Sequence, residues 1–388
     1  MLRTATVYTQ AETAADAAID LSNAIARDLD TRPDLVILFA SPKYDQGEFL
    51  RVFAARCNPK VLVGASSAGE FTSETQGTGL ACALAIRTDE MEFTGSVAGG
   101  LSKDPAAAAR DLVRSFRGLG DHAYPYRSAL VMTDALAGHA DDLVEQLTLA
   151  TSGRYQFFGG GAGDDAQFRR TEVFCGSETY RDAAVAVEIL SKKPIGVGVG
   201  HGWTPASRPL RVTEAKGVTV VSFNGLPAAD AFEEHARETG QKFDRRDPIP
   251  FFLHNILGIE TPDGHRLRVP LAVFEDGSVG CAAEIPEGAN VSIMRTTAGS
   301  AVEAAARATR AALQALDGHE PKTALFFDCV ATRLRMGEGF GLELESLAKL
   351  LGPSASYVGC NTHGQIARAQ GQFGGFHNCT AVVCVLPA

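Results

Sequence analysis

Two stretches of the chain, DLVILFAS from position 34 and ALFFDC from position 324, are apolar at odd and even positions alike. A half-buried strand alternates, so these runs predict central strands covered by helices on both faces. Between such runs the apolar residues fall at helical spacing. Residues 11–28 and 46–57 read as helices, and Asp104-Pro105 places an acceptor side chain before a proline at a helix start.

The order of these elements recurs. The first copy reads strand TATVY, helix, strand DLVILFAS, helix, strand VLVGA, a turn at Gly69-Glu70 and a closing strand LACALAI. After Glu92 the same order runs through EFTGSV, SALVMT, YQFFG, the turn GAGDD and AAVAVEIL. After Asn290 it runs through VSIMRT, the helix SAVEAAARATRAALQAL, TALFFDC, YVGC, the turn THGQ and TAVVCVL. Residues 191–288 have a different texture, with strands, one helix and a hairpin across Asp276-Gly277. The expectation is an α/β protein of two lobes, with mixed sheets flanked by helices and built from repeated βαβαββ units. Residues 1–190 hold two units, and 191–388 hold the insert and the third.

Composition adds limits. With 388 residues, 45% apolar and 21% charged, the chain can bury a large core. A net charge of −10 opposes nucleic acid and anionic membranes as partners. No apolar run approaches the ~20 residues of a membrane span, and the N-terminus lacks a signal core, so a cytoplasmic location is expected. Eight cysteines without a CxxC pair read as reduced, buried thiols.

The three strand-end turns carry the candidate chemistry: Ser66, Ser67 and Glu70 in the first, Gly160, Asp164 and Asp165 in the second, His363 and Gln365 in the third. Glycine in such turns permits close backbone approach to a ligand, and polar side chains at strand ends orient it. His363 sits in a turn where an imidazole is free to ligate a metal, and His254, in PFFLHNILG, is a second such histidine in an apolar setting. Cys360-x-x-His363 with His377-x-Cys379 has loose zinc spacing. Cys360 with His363, or Ser67 near Glu70, could be written as nucleophile and base, though no nucleophile elbow is present.

VGASSAGE at 63–70, FFGGGAGDDAQF at 157–168, FFDCVATRLRMGE at 326–338, and YVGCNTHGQIA with FHNCTAVV near the end resemble, in order, the FIST family of bacterial sensory proteins. The resemblance implies a cytoplasmic sensor of a small-molecule ligand rather than an enzyme. It signals through a partner such as a histidine kinase or a diguanylate cyclase or phosphodiesterase of cyclic-di-GMP. It adds Cys329 and Arg333 to the ligand-binding set. The free-standing branch that the chain resembles includes haem-binding sensors of nitric oxide, for which His363 is the axial-ligand candidate and His254 the next. The alternatives are a sensor of a non-haem ligand such as an amino acid, and a metal- or thiol-dependent enzyme. Two positions depart from the family: Gln365 stands where the last turn usually has glutamate, and Arg333 lies one residue later than expected.

Overall fold

The computed structural model describes residues 2–120, 123–262, 264–369 and 374–388. Strand Leu35–Ala40 is buried along its whole length. Leu35, Ile37 and Phe39 point into one apolar cluster, and Val36, Leu38 and Ala40 into another. The second cluster is completed by Leu21, Ile25, Phe49 and Phe53 of helices Ala14–Leu29 and Gln46–Cys57. The doubly apolar pattern therefore has a cause that differs from the expected one on one side: helices cover one face only, and strands of the other units cover the opposite face.

Three units share one strand order. In the first, Arg3–Thr9 lies beside the closing strand Ala81–Arg87, then Leu35–Ala40, then Val61–Ser66. The last two are parallel and the other pairs antiparallel. The second unit repeats this with Met91–Gly99, Ala183–Ser191, Tyr126–Thr133 and Gln156–Gly161. The third has Gly196–Gly200, Ala381–Pro387, Pro321–Cys329 and Ser356–Thr362.

The third unit thus begins at Gly196, not in VSIMRT. Strand Asn290–Arg295 pairs with Leu210–Lys216 and Ile256–Thr261 in a separate sheet formed by the insert. The insert therefore interrupts the third unit between its first strand and its first helix. GVGVG has few of the bulky side chains that mark a strand. Its glycines have a different purpose: a Cβ at Gly196 or Gly198 would stand 1.8 Å from the carbonyl oxygen of Ala312 or Ala308. Helix Ala298–Gln314 lies directly on this strand through Ala304, Ala308 and Ala312, which accounts for its alanine content.

After its third strand each unit hands a short hairpin to a neighbour. Glu70–Thr72 of the first adds to Ser356–Thr362 of the third, pairing Glu70 with Cys360. Val173–Cys175 of the second adds to Val61–Ser66 of the first. Gln365–Arg368 of the third adds to Gln156–Gly161 of the second, pairing Gln365 with Gly160. The exchange closes a ring around a shared core. Phe327 of the third unit meets Phe39 of the first at 5.7 Å and Phe158 of the second at 6.5 Å between ring centroids. No helix among the described residues is long and apolar enough to cross a membrane.

Candidate functional site

The cyclic exchange brings the three strand-end turns together. Strand register places Ser66, Gly161 and Asn361 at corresponding positions, so Ala68, Gly163 and His363 correspond two residues on. Their backbone N–H groups donate around the ring: Ala68 to the Asn361 carbonyl at 2.9 Å, Gly163 to Ser66 at 2.8 Å, and His363 to Gly161 at 3.1 Å. The turns form one junction. Their side chains, however, face three separate cavities rather than one shared pocket.

The first cavity, about 330 Å³, is lined by Glu70, Phe71, Gln76, Arg333, Glu338 and Asn361 among others. Glu70 is fully buried; Ser67 Oγ donates to its Oε1 at 2.5 Å, and Leu80 N–H to its Oε2 at 3.0 Å. Burial, aided by the nearby charge of Asp165, pushes its carboxyl up to about 8 despite those donors. Burial also raises Asp165, against the pull of the Arg333 guanidinium. Asn361 is 1% exposed, yet neither atom of its amide has a hydrogen-bond partner among the described residues. The same holds for Arg333 Nε and Asp165 Oδ1. Gly69, at φ +123°, lets these groups approach, since a Cβ there would lie 2.8 Å from Asn361 Oδ1 and 3.1 Å from Arg333 Nε.

A second cavity of about 400 Å³ is polar, between Tyr44, Asp45, Ser66, Asp164, Arg169 and Glu172. Ser66 Oγ accepts from Glu172 N–H at 3.0 Å, and Asp164 accepts the backbone N–H groups of Phe168, Arg169 and Arg170. Both side chains therefore brace the loop that carries the hairpin.

The third cavity, about 460 Å³, is apolar. Insert residues Ile249, Phe252, Leu253 and Leu271 wall one side, and Cys329, Leu334 and His363 the other. The His363 ring stacks on Phe168, centroids 4.5 Å apart, and its Nε2 lies 3.5 Å from Asp164 Oδ1. Burial lowers its pKa to about 4, against the pull of Asp164. Haem iron needs a free imidazole nitrogen approached along the ring plane. Here Nε2 faces the Asp164 carboxylate and Phe168 covers one ring face, while Nδ1 has no hydrogen-bond partner among the described residues. His254 is exposed and does not line the cavity.

Of the remaining residues, Ser67 and Gln365 are fully buried, and neither they nor Gly160 lines a described cavity. A Cβ on Gly160 would lie 2.7 Å from the Gly364 carbonyl, so this glycine serves hairpin packing. No three of Cys360, His363, His377 and Cys379, all among the described residues, bring donor atoms within 4.8 Å of one another, which removes the zinc arrangement. Asn361, by contrast, is a site residue that the sequence pattern did not single out. Its signal was available in its correspondence to Ser66, which was singled out in the first turn.

The FIST N domain matches residues 34–226 and the FIST C domain residues 228–368. The chain belongs to the FIST family, whose domains sense small ligands. It is also 27% identical over 147 residues to an uncharacterized protein of Methanocaldococcus jannaschii, a match covering 36% of this chain and 29% of that protein. Among solved structures, the cyanuric acid hydrolase of A. caulinodans aligns over 100% of both chains at 8% identity, with a TM-score of 0.34.

Proposed function

We propose that the chain senses a small ligand bearing a carboxylate, held in the cavity between Glu70, Arg333 and Asn361, and that occupancy alters contacts with a signalling partner such as a histidine kinase or a cyclic-di-GMP enzyme. The observation that carries this is the Asn361 amide, buried beside a cavity with no partner for either atom among the described residues. An unsatisfied buried polar group costs roughly 1–3 kcal/mol, which a ligand supplying a donor and an acceptor recovers. Arg333, at the same cavity, offers a planar guanidinium that matches a carboxylate. An amino acid suits the arrangement: its carboxylate at Arg333, its ammonium toward the Glu70 carboxyl and the unpartnered Asn361 amide oxygen.

Calorimetric titration with amino acids and with their C-terminal amides tests the reading. At least one free acid should bind, its amide should bind at least about tenfold more weakly, and Arg333→Ala should lose the difference. Equal affinity for acid and amide would remove the proposal.

A further inference from the structure

The eight cysteines are all free thiols, and two of them stand in the wall of the apolar cavity: Cys281 and Cys329. They are chemically unlike. Burial pushes Cys281 up to about 12, which disfavours its thiolate. Cys329 packs in the same small apolar cluster as Cys379, whose side chain lies beside the Cys329 sulfur and holds its thiol below the usual range. Cys379 lies behind that wall and is not part of the cavity lining. The cavity mouth is itself apolar, since Leu136, Phe168, Val218, Ile249 and Leu334 are all substantially exposed and all line it. Such a rim admits an apolar molecule in preference to a small, strongly hydrated one.

We propose that this cavity is a reaction site for organic hydroperoxides, in which Cys329 reduces the peroxide and Cys379 resolves the product. The Cys329 sulfur attacks the terminal oxygen of R–O–OH. An S–O bond forms, the O–O bond breaks, and the alkoxide leaves with the thiol proton as the alcohol. Sulfur is oxidised by two electrons and the peroxide reduced by two. The Cys379 sulfur then attacks the Cys329 sulfenic acid, the S–S bond forms, and water departs with the Cys379 proton. Two thiols and one hydroperoxide thus give a disulfide, an alcohol and water. The pair joins a cysteine in the cavity wall with a second cysteine packed in the same cluster.

The experiment treats the reduced full-length protein with cumene hydroperoxide or hydrogen peroxide, and follows peroxide loss, free thiols and disulfide-linked peptides. The expected result is one Cys329–Cys379 disulfide per cumene hydroperoxide consumed, at a rate at least about tenfold above that with hydrogen peroxide, reflecting burial of the aryl group. Cys329→Ser should abolish the reaction. Cys379→Ser should still consume peroxide and leave a dimedone-reactive sulfenic acid at Cys329, while Cys57→Ser, away from the cavity, should react like the parent. Oxidation first at Cys57 or Cys175, the two partly exposed thiols, would overturn the proposal, as would undiminished consumption by Cys329→Ser. Equal rates with the two peroxides would overturn the assignment of the cavity to organic substrates.

Discussion

Glu70 and Gln365 occupy the same place in two units and are held at corresponding positions, although Ser67 donates to Glu70 whereas Gln365 donates to Thr362. Glu70 is bonded to Ser67 at 2.5 Å and to Leu80 N–H at 3.0 Å; Gln365 is bonded to Thr362 at 2.8 Å and to Thr380 N–H at 3.3 Å. A carboxyl and a carboxamide are nearly the same shape, so the two turns differ chiefly by one titratable proton.

That proton gives the first prediction. The folded carboxyl of Glu70 sits at about 8, above its ordinary value of 4.5, so the folded state binds the proton more tightly. The stability it contributes is complete below about 4.5 and is lost as pH rises toward about 8. Glu70→Gln, which copies the residue of the third unit, should fold and should lose this dependence, a difference on the order of 2–4 kcal/mol across the window. Urea unfolding of parent and variant at the two ends of the window measures it. Identical pH slopes would show that Glu70 is not the group responsible.

Gly69→Ala should damage the proposed ligand site more than the fold. The backbone there has φ +123°, and the new methyl group would meet Asn361 Oδ1 and Arg333 Nε. Strain of this kind costs about 1–3 kcal/mol. Titration with the best-binding amino acid should show a larger free-energy loss than chemical denaturation does.

Gly198→Ala tests how the helix lies on the third unit's first strand. Its Cβ would fall 1.8 Å from the Ala308 carbonyl oxygen, an overlap that only displacement of helix Ala298–Gln314 relieves. A loss of about 3 kcal/mol or more is expected. Gly99→Ala, with nothing within 4 Å of the added methyl, is the matched control. A thermal melt in which both variants behave alike would contradict the packing described.

Cutting the chain between the second and third units should leave neither part properly folded alone. The first part would lack Gln365–Arg368 beside Gln156–Gly161, and the second would lack Glu70–Thr72 beside Ser356–Thr362. Each part would expose strand edges that the intact ring covers. Near-ultraviolet circular dichroism of the parts, separately and mixed, decides the matter. A native-like spectrum from either part alone would refute interdependence.

The sequence by itself determined the units. Strands apolar on both faces, helices between them and glycine turns at strand ends are local patterns, written within about 20 residues of one another, and DLVILFAS and Gly69-Glu70 behave as those patterns require. The sequence also marked the residues of the turns, and with them the junction. Tertiary structure alone decided which strand joins which sheet. VSIMRT and GVGVG both precede the helix at 298–314, and only the packing of Ala308 onto Gly198 selects the second. It also decided where the turn side chains point. Hairpin exchange pairs Glu70 with Cys360 and Gln365 with Gly160, residues that lie in different units and far apart along the chain. A period-two strand turns its side chain toward one face or the other according to its partner's register. That register is set by contacts far along the chain, which is why Glu70 and Arg333 share a cavity while Gln365 faces none among the described residues.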